Sequence, residues 1–234
     1  RTSYEDDTEF LSSHFLTTRS CYIIPRGKSQ FFSFFEQGGV DPSGYIDVSF
    51  MLDDGSVRTT RLTNKISASS TNKIYNFGIE SNTLDIRVKS LYPNDSPKVL
   101  GGTIVHGSRV IDFFFTDDEP IESFGFYNAF NVWENYYVFG TSNIKTSFTQ
   151  KEAICAGVSS YYNQSASRVV EIKTVPLSYE EALWVNEFLG SKRIVKVIPP
   201  DDDRDILISD ITSEISDSDK ETISIKFSWK YADP

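Results

Sequence analysis

The amino-acid sequence predicts a mainly β protein made of two antiparallel β-sandwich-like domains, the second carrying one α-helix at about residues 178–189. Three features carry this expectation: apolar–polar alternation in several short runs, 18 Phe and 12 Tyr against a single Met, and one well-capped helical pattern. Aromatic and β-branched side chains pack well on pleated sheets, and a period of two marks a strand with one buried face. A chain of 234 residues is long enough to bury a core in each of two modest domains.

Residues 1–20 are polar and acidic and read as an N-terminal arm, extended or exchanged between copies, with His14 solvated. The first β-sandwich domain is expected over 21–118. Within it Ile46, Val48, Phe50 and Leu52 alternate with Asp47, Ser49 and Met51. The run stops at Asp53-Asp54-Gly55-Ser56, where glycine accepts a positive φ and closes a hairpin onto Val57–Leu62. Leu84, Ile86 and Val88 alternate with Asp85, Arg87 and Lys89 and read as another strand. Tyr92–Pro97 reads as a loop, and Gly101-Gly102 opens a strand that His106 ends before a turn. Val110–Phe115 reads as a central strand.

Asp117-Asp118-Glu119-Pro120 breaks the pattern and sets the domain boundary, so the second, β-rich domain covers 119–234. Strands are expected at Lys145–Gln150, Gly157–Tyr162 and Ser167–Thr174. The helix follows. Ser178 and Glu181 have the spacing of a capping box, Trp184, Val185, Phe188 and Leu189 repeat at helical intervals, and Gly190 provides the stop. Strands at Ile194–Ile198, Ile206–Ile211 and Thr222–Tyr231 complete the domain. In the last, Ile223, Ile225, Phe227, Trp229 and Tyr231 share one face.

No constellation of reactive groups emerges, and the chain reads as non-enzymatic, with no catalytic residue, metal or cofactor assigned. Neither His14 nor His106 has a recognisable nucleophile or second ligand nearby in sequence, and no nucleophile elbow, P-loop or dinucleotide fingerprint is present. Asp201, Asp202, Asp203 and Asp205 resemble a calcium loop only superficially. Ile206 and Thr212 stand where that loop needs glycine and glutamate, so a solvated hairpin tip is expected. Cys21 and Cys155 make neither a disulfide framework nor a zinc site; they read as buried thiols, with a single bridge as the alternative. A net charge of −10 repels phosphate backbones, and no apolar run is long enough to span a bilayer, so neither nucleic acid nor membrane insertion is expected.

The most aromatic segment, 124–139, supplies the candidate binding residues Trp133, Tyr136 and Tyr137, which flank Glu134 and Asn135. Aromatic rings anchor protein partners and stack on sugars. Filling the core between two sheets is the competing role for the same rings.

Motifs of the second half carry a resemblance. Phe126-Tyr127-Asn128-Ala129-Phe130-Asn131 precedes Glu134 and a strand ending Tyr137-Val138-Phe139-Gly140. Pro176-Leu177-Ser178 with Glu180-Glu181-Ala182 heads the helix, Phe188-Leu189-Gly190-Ser191 closes it, and the chain ends on Phe227-Ser228-Trp229-Lys230-Tyr231-Ala232-Asp233. In this order the chain resembles tail-associated structural proteins encoded by phages and prophages of gut Bacteroidetes, over most of residues 20–234. The resemblance implies a virion tail or baseplate component that contacts other tail proteins or itself, as a ring or trimer, and it assigns no functional residue. The alternative is a secreted or cell-surface β-sandwich binding module for carbohydrate, with Trp133, Tyr136 or Tyr137 stacking on sugar.

Overall fold

The computed structural model describes residues 7–38, 45–62, 71–92, 97–198, 202–213 and 223–232. Its first half runs α1 (Asp7–Ser13), β1 (Cys21–Pro25), β2 (Ser29–Glu36), β3 (Asp47–Leu52), β4 (Val57–Arg61), β5 (Lys73–Glu80), α2 (Ser81–Leu91), β6 (Val99–His106) and β7 (Arg109–Thr116). The second half begins with β8 (Glu122–Tyr127), β9 (Trp133–Val138), β10 (Gly140–Cys155) and β11 (Val158–Thr174). It continues with α3 (Tyr179–Leu189), β12 (Ile194–Lys196), β13 (Arg204–Thr212) and β14 (Lys226–Tyr231). The protein is mainly β, as expected, but among the described residues three short helices replace the single one foreseen.

Three sheets form. One has the order β1-β7-β6-β3-β4, one the order β10-β11-β14-β13-β12-β8-β9, and β2 pairs with β5 alone. The all-antiparallel expectation fails at one pair, because β1 runs parallel to β7. A parallel neighbour needs a long crossover, and the whole stretch from β2 to β6 provides it. The buried apolar side chains of both halves join in one cluster that runs from Phe15 to Trp229, past the Asp117–Pro120 segment.

Local chemistry explains the elements that formed as expected. Val48, Phe50 and Leu52 of β3 are buried, and the turn to β4 is held by Asp54 Oδ1, which accepts from the Ser56 amide at 2.8 Å. At α3 the Ser178 hydroxyl accepts from the Glu181 amide and the Glu181 carboxylate accepts from the Ser178 amide, both at 3.2 Å. This reciprocal cap leaves Ala182, Trp184, Val185 and Phe188 facing the core. Gly190 ends the helix in a right-handed conformation, φ −87°.

Three further expectations are corrected. The run Leu84–Val88 is helix α2, not a strand: Leu84 and Val88 lie one helical turn apart and are buried, whereas Ile86 is 70% exposed. Apolar residues at i, i+2 and i+4 contain a helical i, i+4 pair, and here that pair decides. The N-terminal segment is not an extended arm. Within its described part α1 forms, and Phe15 and Leu16 behind it are buried, Phe15 meeting Phe32 and Phe34 edge-on at 6.5 and 6.1 Å. Its acidic composition concealed two consecutive core residues. Finally, the three strands expected between 145 and 174 are two, of 16 and 17 residues. A register shift between Thr149 and Lys151 absorbs an extra residue of β11 without ending the ladder.

No helix among the described residues is long and apolar enough to cross a membrane. Cys21 is a free thiol, half-buried, and that burial pushes its pKa up.

Candidate functional site

Strand β9 decides the fate of the aromatic candidates through its alternation. Glu134, Tyr136 and Val138 point into the core, while Trp133, Asn135 and Tyr137 share the opposite face, directed at β2. The Tyr136 ring is buried edge-on against Trp184 at 5.1 Å and beside Phe188 at 4.8 Å, and desolvation pushes its hydroxyl well above the usual phenol range. Tyr137 donates its hydroxyl to the Ser29 carbonyl, and burial pushes its pKa up to about 12. Trp133 Nε1 donates to Asn135 Oδ1 at 3.1 Å, and its ring lies so close over Gly125 that a Cβ there would stand 2.0 Å from Cζ2.

Tyr136 and Tyr137 line a cleft of about 730 Å³; Trp133 lies outside its lining. Strands β1 and β7, the end of β9 and the start of α3 form its walls. Ile23, Phe114 and Val175 present half-exposed apolar surface to it. Asp118 and Glu119 add exposed carboxylates to the same cleft. Inside, Arg19 pairs with Glu181 at 3.0 Å and lies over the rings of Tyr22 and Trp184 at 4.8 and 4.7 Å.

Behind Trp184 sits a group that sequence reasoning passed over. Glu134 is 2% exposed, and three side-chain donors converge on it: Tyr22 at 2.9 Å, Trp184 Nε1 at 2.7 Å and Asn128 Nδ2. Since Tyr22 donates to Glu134, Thr17 Oγ1 donates in turn to the Tyr22 oxygen at 2.5 Å, and Asn128 also donates to the Leu16 carbonyl at 2.7 Å. Burial raises the Glu134 carboxyl above the ordinary range, and the bonds from Asn128, Trp184 and Tyr22 oppose that rise. The carboxylate is an acceptor hub that ties the N-terminal segment, β1, β9 and α3 together. The shell of donors closes it off from solvent.

A second buried cluster joins Glu36 to His106 at 2.9 Å and to Arg109 at 3.0 Å. Arg109 also donates to the carbonyls of Leu11 and Phe35, at 3.0 and 2.6 Å, and so pins the end of α1 to β2. His106 does end β6 before a turn, as its sequence position suggested. His14 is exposed, stacked on Phe10 at 4.7 Å. Of the acidic cluster, Asp202 pairs with Arg204 and Asp205 with Arg193, each at 3.0 Å, while Asp203 accepts from the Ile198 amide; Asp201 lies outside the described residues.

Among the described residues, the β10–β11 hairpin departs most from a closed globule. Strand β14 covers β11 only over Val170–Lys173, and β10 is the edge of its sheet. Beyond that overlap, among the described residues, the two strands pair with each other alone, out to a turn at Ala156 and Gly157, both at positive φ. Every side chain described from 141 to 168 is exposed except Ala153, which is half-buried. Ile144 sits opposite Val170 and Phe148 opposite Ala166. These positions continue the face that buries Val170 and Ile172 at the root. Ile154 and Tyr161 (opposite Glu152) extend the same face towards the tip, so the inner side of the sheet carries on into water.

Compared with family models, curated proteins and solved structures, the chain matches none.

Proposed function

We propose that this chain is a non-catalytic structural subunit of a phage or prophage-derived tail or baseplate, acting through protein–protein contacts made by the β10–β11 ribbon. The ribbon is the observation that carries the proposal. A two-stranded hairpin alone is marginally stable in water, and this one extends well past the sheet that supports its root. Phe148 is 70% and Ile154 74% exposed, and each would gain about 1.5–3 kcal/mol on full burial. An open edge strand with an apolar face is a template for pairing with another chain. The tail or baseplate as the particular setting draws its support from the sequence motifs of the second half.

Light-scattering mass across a wide concentration range, with electron micrographs of large species, tests this reading. The comparison chain has residues 146–168 replaced by Asn-Gly, so that the Lys145–Val169 pair closes a short hairpin. A defined ring or trimer that disappears in the shortened chain is expected. Identical monomer masses for both chains at every concentration would contradict the proposal.

A further inference from the structure

We infer that the cleft between β1, β7 and α3 is the receptor for the β10–β11 ribbon of a second copy of this chain, which makes the interface head-to-tail. This rests on the assembly reading above and adds to it the receiving surface and the identity of the partner.

The chemistry of the two surfaces matches. The ribbon offers Ile144, Phe148, Ile154 and Tyr161 on one face, and the cleft offers Ile23, Phe114 and Val175 as half-exposed apolar walls. The ribbon also carries a net positive charge within an acidic chain. Strands β10 and β11 carry Lys145, Lys151, Arg168 and Lys173 against Glu152 and Glu171, while the whole molecule has a net charge of −10. Lys145 is engaged with Glu171 at the root, which leaves Lys151 and Arg168 farther out. The cleft contributes Asp118 and Glu119, both exposed. Two bodies this acidic repel each other, so a cationic arm meeting a carboxylate-bearing cleft favours encounter and fixes its orientation.

A molecule cannot fill its own cleft with its own ribbon tip. The root of the hairpin lies at the cleft, where Phe139 and Val175 belong to the lining. From there the ladder is paired from Gly140–Thr174 to Cys155–Val158, and 16 extended residues at about 3.3 Å each carry the tip ~50 Å away. Returning would break the ladder, so the occupant comes from another molecule. Because ribbon and cleft are different surfaces, the contact is heterologous and propagates into a ring if the rotation closes, or a filament if it does not.

A mixing experiment tests this. The ribbon variant carries Phe148→Glu with Ile154→Glu, and the cleft variant carries Ile23→Glu with Phe114→Glu. A second cleft variant, Asp118→Lys with Glu119→Lys, reverses two exposed charges and leaves every apolar contact in place, which guards against misfolding of the first. Circular dichroism verifies the fold, and light scattering reads the mass. Each variant alone is expected to lose self-association, its apparent Kd rising at least about tenfold. Ribbon and cleft variants mixed together should form a 1:1 dimer that grows no further, since one intact ribbon meets one intact cleft. If both folded cleft variants keep the wild-type mass while the ribbon variant loses it, the cleft assignment is wrong and the assembly reading stands. If the wild-type chain stays monomeric at all concentrations, both are wrong.

Discussion

Around Glu134, rings and hydrogen bonds close on one another: Tyr22, Trp184 and Asn128 all donate to one buried carboxylate, with Tyr136 and Phe188 packed beside them. Along the outer part of β10 and β11, Phe148, Ile154 and Tyr161 stand in water, and among the described residues the ribbon's backbone is paired only within the ribbon. Both regions are built from aromatic, β-branched and small polar residues, so composition does not separate them. What separates them is where their partners lie. The Glu134 junction finds its partners at widely spaced positions of the same chain and is complete, whereas the ribbon has a sheet face that no described residue of its own chain covers. Mutations at the junction should therefore act on stability, and mutations on the ribbon on association.

The sharpest break in this contrast comes from Glu134→Ala. It leaves the Tyr22, Trp184 and Asn128 donors buried without an acceptor and opens a cavity, at an expected cost of about 3–5 kcal/mol, read as a lower urea midpoint. Next is Gly125→Ala, whose new Cβ collides with the Trp133 ring; overpacking of this kind costs about 1–3 kcal/mol, and a thermal melt would show it. Smaller is a pH dependence carried by the junction itself. The folded state holds the Glu134 proton to higher pH than the unfolded chain does, so stability is greatest below the ordinary carboxylate range. It falls as pH rises through the elevated folded value. Urea titrations at a series of pH values should show this slope, reduced in Glu134→Gln. Tyr137, raised to about 12, adds a second loss of stability above about pH 10, which Tyr137→Phe removes. Least is Phe148→Ser on the ribbon, expected to move the unfolding free energy by no more than about 0.5 kcal/mol while weakening self-association.

Much of the frame was legible where local chemistry acts alone. The Asp-Gly turn after β3, the Ser178–Glu181 cap and the alternation before Tyr231 each need only neighbours in sequence. Helix α2 was not legible as a helix, because Leu84, Ile86 and Val88 fit the strand period while Leu84 and Val88 also fit the helical one, and only packing against the core selects between them. The ribbon's length was hidden as well, since its Ser, Thr and Gln residues look like loop and its bulge looks like a break. Of the binding candidates, the aromatic enrichment at Trp133, Tyr136 and Tyr137 was visible, but which ring faces where depends on the register of β9 against β8. Glu134 was out of reach for a simpler reason. Its donors come from residues 22, 128 and 184, a set that no spacing rule assembles.

Hydrogen exchange measured at several protein concentrations tests the central contrast most directly, because it reads both regions in one experiment. The account predicts fast exchange of the ribbon amides between residues 144 and 168 when the chain is dilute. Protection should appear in step with rising mass, while amides around Tyr22 and Glu134 stay slow throughout. Ribbon amides equally slow in a chain whose mass is that of a monomer would contradict it, since the ribbon would then be stable without a partner.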